Sequence, residues 1–174
     1  MCNGEAGKRA GLPFLNETMK TVNRRNKDKT QVASNGATVG GYAAIFNETT
    51  DLGSMYERIE PGAFDGADMS DVRFLINHEG LALARTKSGT LGVMVDNRGL
   101  RYVASLADTE QSNQLAIAAR RGDVSQSSFA FIIGKQRFER HEGKPLRVVE
   151  RISKVLDVSA VVFPAYEGTE FGAR

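Results

Sequence analysis

The sequence contains very few of the residues that bind metals or form covalent cross-links. Its 174 residues include one cysteine, Cys2, and two histidines, His78 and His141. One cysteine cannot form a disulfide within the chain, which suits a reducing compartment, and its terminal position argues against a reactive thiolate. These three residues also fall short of a His/Cys zinc site. Because neither a P-loop nor a dinucleotide glycine fingerprint is present, we expect no metal and no cofactor.

Long apolar runs are also missing. No segment approaches the ~18 to 20 apolar residues that span a bilayer, and the first residues lack the apolar stretch of a signal peptide. We therefore expect no membrane partner and a location inside a cell or inside something assembled there. The hydrophobic content of 41% is enough for the core of a single domain.

The charges nearly balance, with 23 Lys and Arg against 21 Asp and Glu, but "KTVNRRNKDK" at residues 20–29 is a local basic cluster. Residues 1–37 show no sustained periodicity, so we predict a disordered basic N-terminal tail followed by a folded domain at residues 38–174. Met19 is a candidate natural start within this tail. The alternative role of the cluster is a tether to an acidic partner or nucleic acid. No aromatic residue is interleaved with the charges, which argues against nucleic acid.

Short strands dominate the sequence from residue 38 onward. Residues 90–106 predict two strands joined by a turn at residues 96–99. Residues 135–152 predict a second hairpin, which turns near residues 142–145. The sequence therefore indicates a domain built mainly from strands.

One helix interrupts these strands. Residues 108–123 carry apolar positions at helical spacing, with Asp108 or Thr109 as the N-cap and Gly122 as the left-handed stop. Together with the strands, this helix predicts a β-rich α+β fold. We expect a closed or nearly closed β-barrel of about seven strands with peripheral helices.

His78 and Asp157 are candidates for chemistry because of where they stand. His78 ends the apolar run "DVRFLINH" at a sheet rim, where an imidazole is either structural or a general base. Asp157 is the single charge in "VLDVSAVVF". An unpaired buried carboxylate is costly, so it lies at an exposed strand end or pairs with a cation or imidazole. His141, in a charged turn, is expected to be exposed and inert.

The stretch "GDVSQSSFAF" offers a candidate nucleophile. Alternation along a strand places Ser127 on the same face as Phe129, and Ser128 on the opposite face beside Ala130. Ser128 is then either an ordinary polar residue or a nucleophile with a base nearby. The order His78, Ser128, Asp157 matches no familiar triad order, and the residues alone indicate only a β-rich domain with a candidate His/Ser site.

Two carboxylates, Glu57 and Glu60, offer a different hydrolytic set. They stand just before the strand-breaking pair Pro61-Gly62. A simpler interpretation is that both lie at an exposed strand end.

Six stretches in this order resemble the prohead, or capsid-maturation, protease family of tailed bacteriophages. They are "GYAAIFNE", "ERIEPGAFDG", "VRFLINHEG", "SGTLGVMVDNRGLRYVASL", "AIAARRGDVSQSSFAF" and "LDVSAVVFPAYEGTEFGAR". The resemblance covers residues 39–174. It implies a serine endopeptidase related in fold to the herpesvirus assembly protease, which cleaves scaffold or the scaffold-like extension of the capsid protein, and often itself.

The resemblance also implies roles for single residues. The family histidine in an "NH" step matches His78, and the family nucleophile before an aromatic-small-aromatic triplet matches Ser128, with Ser127 as its rival. The acidic residue before a Val-Ser pair in the last strand matches Asp157, while His141 lies too early to serve as the third member.

The resemblance further implies a place of action and partners. It places the protein in the host cytoplasm, within the assembling prohead, with the major capsid protein and scaffold as protein substrates. One alternative function stays open, a non-catalytic capsid assembly factor that binds the same proteins. Whether the protein forms a homo-oligomer also stays open.

Overall fold

The computed structural model of the protein describes residues 36–173, so nearly all of the predicted tail at residues 1–37 lies outside the described residues. These residues form ten strands and one helix. In chain order they are β1 (Thr38–Ile45), β2 (Thr49–Asp51), β3 (Tyr56–Ile59), β4 (Arg73–Ile76), β5 (Glu79–Arg85), β6 (Leu91–Val95), β7 (Gly99–Ser105), α1 (Glu110–Arg121), β8 (Gln126–His141), β9 (Lys144–Val161) and β10 (Glu170–Ala173). Within residues 36–173, no helix is long and apolar enough to cross a membrane.

The strands form two sheets. The first has the order β10-β1-β7-β6 and is antiparallel throughout. The second is built around β9, which pairs with β8 along one side. On its other side β9 pairs in parallel with β3 near its start and with β4 near its end, and β2 and β5 continue the sheet outward. The 18-residue strand β9 thus serves as the shared centre of this sheet.

The expected closed or nearly closed barrel of about seven strands with peripheral helices is wrong. The described strands lie in two open sheets, and one short helix accompanies them. The sequence pattern divided residues 124–166 into short strands, whereas residues 126–141 and 144–161 form the two long strands β8 and β9, whose pairing contains several shifts of register. A barrel requires each terminal strand to pair with another, and sequence periodicity carries no information on such distant pairings.

The helix forms where the sequence predicted it. Thr109 is the N-cap and accepts a hydrogen bond from the backbone N of Ser112, and Gly122 ends the helix in the left-handed conformation with φ 84°. Glu110 lies in the first turn, and Arg120 and Arg121 lie in the last, which complements the helix dipole. The predicted hairpins are also present, as β6–β7 and as β8–β9 with its turn after His141.

The hydrophobic core contains inward-facing side chains of both sheets. Phe74 of β4 packs against Tyr102 of β7 and Phe171 of β10, with ring centroids 5.7 and 6.2 Å apart. Phe129 of β8 joins the same core. Burial of each such side chain is worth about 1.5 to 3 kcal/mol, so this packing holds β4, β8 and β10 in fixed relative positions.

Candidate active site

His78 lies in the tight turn between β4 and β5. Asn77 and His78 have φ values of 51° and 62°, a pair of positive values typical of a two-residue type I′ hairpin turn. The backbone N of Asn77 donates to the carbonyl of Ala160 (2.9 Å), and its side-chain Oδ1 accepts from the backbone N of Val162 (3.1 Å). These two bonds attach the turn to the end of β9.

Asp157 lies on β9 and is 7% exposed. Its Oδ1 atom is 2.7 Å from Nδ1 of His78 and 2.8 Å from the hydroxyl of Ser159. Of the two placements that the sequence left open for Asp157, the structure shows pairing with an imidazole. The hydrogen bond that His78 donates to this carboxylate raises the pKa of His78, and partial burial of the ring opposes the increase.

Ser127 is buried on the core side of β8, and its hydroxyl is already used. Its Oγ donates to the carbonyl of Glu170 (2.8 Å) and lies 2.7 Å from the hydroxyl of Tyr102. Since Ser127 has one hydroxyl proton, Tyr102 is the donor in the second bond. Thr169 binds the backbone of Ser127 by accepting from its N (3.1 Å) and donating to its O (2.6 Å).

Ser128 faces the opposite side of β8, as alternation predicted. It pairs in register with Ser159, and Ala130 pairs with Asp157, so these four residues share one face of the sheet. Ser128 is 6% exposed, and among residues 36–173 its hydroxyl has no hydrogen-bond partner, His78 included. The hydrogen bond between a catalytic serine and its base is often long in enzymes without substrate, and it shortens when substrate binds.

The carboxylates Glu57 and Glu60 do not form a paired site. Glu57 is buried and is held by the hydroxyl of Tyr166 and by Nε of Arg147. Glu60 instead accepts from Arg137 (2.6 Å). Each carboxylate is engaged by its own cation, so the interpretation as an exposed strand end is wrong for Glu57.

His141 lies at the far end of β8. It is half-buried rather than exposed, with its ring edge-on to Tyr56 at 4.8 Å. Ser128 is 13 positions away on the same strand (141 − 128), or roughly 40 Å at the usual rise per residue. His141 therefore takes no part in the cluster around Asp157.

Two residues that shape the cluster were missed by the sequence reading. Ser159 follows Asp157 by two positions, so strand alternation already places both on one face. Asn77 precedes His78, and Asn is among the residues that best tolerate positive φ, so "NH" between two strands is a turn signal. Their hydrogen bonds, however, depend on neighbours that only the fold brings close.

This geometry allows acyl-transfer chemistry. An imidazole is oriented through Nδ1 by a buried carboxylate, which leaves Nε2 to accept a proton, and a serine hydroxyl with no partner among the described residues lies on the same face. A nucleophile, a base and an orienting acid are the three groups that a serine hydrolase needs.

Comparison with known proteins gives one match. The family described as caudovirus prohead serine protease matches residues 20–174, which include all ten strands, the helix and the His78–Asp157 pair. No curated protein and no solved structure matches the chain. On the strength of a match over nearly its whole length, the chain belongs to the caudovirus prohead serine protease family.

Proposed function

We propose that the protein is a serine endopeptidase in which Ser128 is the nucleophile, His78 the general base and acid, and Asp157 the residue that orients the imidazole. Membership of the family makes it a serine peptidase of phage capsid maturation. The observation that carries the residue assignment is the 2.7 Å hydrogen bond between Asp157 and Nδ1 of His78, on the face that Ser128 shares.

The proposed reaction follows from this arrangement. Oγ of Ser128 attacks the scissile carbonyl while Nε2 of His78 takes the proton of the Ser128 hydroxyl. Asp157 stabilises the imidazolium that results. Collapse of the tetrahedral intermediate releases the amine, which receives the proton from His78. Water, deprotonated by the same imidazole, then hydrolyses the acyl-enzyme and restores Ser128.

The contrast between the two adjacent serines supports Ser128. The hydroxyl of Ser127 is enclosed in the core and donates to Glu170, so reaction there would require breaking a buried network. Ser128 shares a sheet face with Asp157, the partner of His78, and its hydroxyl has no hydrogen-bond partner among residues 36–173. Removal of Ser127 should therefore affect folding, and removal of Ser128 should affect catalysis.

The family places the reaction within the assembling prohead in the host cytoplasm, on a capsid or scaffold protein. More specifically, we propose that the substrate is scaffold or the scaffold-like extension of the major capsid protein, and that the protease also cleaves itself. A peptidase confined in the prohead meets these chains at high local concentration, which offsets a modest affinity for each site.

Co-expression with the capsid and scaffold genes tests the mechanism. Ser128→Ala should stop trimming of the capsid protein, with a loss of several orders of magnitude in rate, while its unfolding temperature stays close to wild type. Ser127→Ala is the matched variant, expected to lower the unfolding temperature and to leave some trimming. Complete trimming by Ser128→Ala would exclude this mechanism.

A serine-directed phosphonate probe distinguishes the protease from a non-catalytic assembly factor. Labelling at Ser128, located by mass spectrometry, is the result expected of the protease. An assembly factor would stay unlabelled, and its deletion would leave capsid processing unchanged.

A further inference from the structure

A pair of large apolar side chains is exposed next to the candidate active site. Val162 and Phe163 follow β9 directly and are 50% and 91% exposed. Phe163 is the most exposed large hydrophobic residue in the described part of the chain. A single exposed apolar residue is common, but neighbouring ones beside a catalytic cluster indicate a binding surface.

The loop that carries them is bonded to the turn that carries His78. The backbone N of Val162 donates to the side-chain Oδ1 of Asn77, the residue before His78 (3.1 Å). Pro164 follows Phe163 and restricts the backbone further. We call residues 162–164 the apolar loop. Its position is thereby coupled to that of the general base.

The position of this surface beside the His78 turn indicates what binds to it. A peptide bond attacked by Ser128 must lie beside His78, so the flanking residues of the substrate pass close to the turn and to the loop bonded to it. A peptide side chain can cover Val162 and Phe163 only if it is itself apolar and bulky, because a polar one would lose hydration without gaining a partner.

We propose that Val162 and Phe163 form an apolar recognition element that binds a bulky apolar side chain of the substrate, next to the scissile bond. The element makes the enzyme prefer Leu, Met or Phe at one position flanking the cleaved bond. This inference rests on the proposed function, since it needs Ser128 and His78 to mark the reaction centre.

Digestion of a random peptide library, read by mass spectrometry, tests the proposal. The wild-type protein should show a preference for bulky apolar residues at one position beside the cleaved bond. Phe163→Ser should lower kcat/KM on a preferred peptide roughly tenfold, mainly through KM. On the same peptide with Ala at that position, kcat/KM of Phe163→Ser should fall by less. The ratio of the two kcat/KM values, which measures the preference, should therefore approach one in this variant.

Phe138 provides the matched control. It is 58% exposed, and it lies in the distal part of β8, ten positions from Ser128 (138 − 128). Phe138→Ser removes an exposed phenylalanine of the same kind and should leave the preference unchanged. Asn77→Gly, which keeps the turn but loses the bond to Val162, should flatten the preference, whereas Asn77→Asp keeps an acceptor and should retain it.

The outcomes separate the two proposals. Cleavage that depends on Ser128 but keeps its preference in Phe163→Ser would overturn the recognition element and leave the mechanism standing. Cleavage that is equal in wild type and Ser128→Ala, or absent from both, would overturn the mechanism and the element with it. A change of sedimentation in Phe163→Ser with unchanged preference would identify the apolar loop as a contact between copies instead.

Discussion

At the scale of single residues, the pKa of His78 links activity to pH. The hydrogen bond with Asp157 raises this pKa above its ordinary value of 6.5. As the proposed general base, His78 must be neutral, so kcat/KM should fall as the pH decreases through the raised pKa, with the acid limb above pH 6.5. In Asp157→Asn the limb should move to lower pH and kcat should drop by about 10⁴. A pH profile on one peptide substrate measures both.

An acid limb at the same pH in wild type and Asp157→Asn would show that the group titrating in the profile is not His78. The matched variant is Asp51→Asn, which removes an exposed carboxylate bound to Lys144 (2.8 Å), the first residue of β9, at the opposite end of that strand from Asp157. It should leave the acid limb where it is.

Ser159 is the second residue with a testable role, as a positioning residue. Its hydroxyl donates to the same carboxylate oxygen of Asp157 that contacts His78 (2.8 Å). Ser159→Ala should lower kcat about tenfold, equivalent to about 1.4 kcal/mol, with KM unchanged. The low-field proton signal of His78 Nδ1–H should shift as well. A purely structural role would lower the unfolding temperature without moving this signal.

At the scale of elements, β8 depends on the segment that leads into β10. Thr169 is buried and binds both backbone groups of Ser127, so it holds the start of β8, the strand that carries Ser128. Thr169→Val keeps the shape but leaves the backbone N of Ser127 without its acceptor, which should destabilise the fold by about 1 to 3 kcal/mol. Denaturant unfolding measures this. Thr169→Ser keeps the hydroxyl, and an equal loss in that variant would contradict the interpretation.

The elements also show which structural features can be predicted from local sequence pattern and which cannot. The N-cap at Thr109, the stop at Gly122 and the turns of two hairpins were predictable because each depends on dihedral preferences of a few adjacent residues. The lengths of β8 and β9 were not, since polar residues at the distal half of this hairpin hide its strand pattern. There Arg137 is held by Glu139 on the same strand and by Glu60 and Glu150 from other segments, and periodicity cannot reveal the last two contacts.

At the scale of the whole molecule, the first sheet depends on a close approach of β1 and β10. Gly41 has the backbone of Glu170 where a Cβ atom would stand, so no side chain fits. Gly41→Ala should separate β10 from β1 and, through Thr169 and Glu170, disturb the strand of Ser128. We expect a lower unfolding temperature together with reduced peptidase activity.

Gly53→Ala is the control for that prediction, because Gly53 has open space at the Cβ position and its cost comes from its positive φ of 84° alone. Calorimetry and a peptide assay on the two variants compare them. If the two variants lost the same activity for each degree by which their unfolding temperature falls, the result would argue against a specific link from β1 to the site.

The sequence by itself determined which side of its strand Ser128 occupies, where the helix begins and ends, and that His78 stands at the end of a strand. These properties follow from side-chain alternation and local dihedral preferences. Only the tertiary structure decided that His78 meets Asp157, 79 positions away, and that Tyr102 and Glu170 engage Ser127 and not Ser128. The reason is physical: contacts between distant segments depend on strand register and on which sheets pack together, and neither leaves a local trace in the chain.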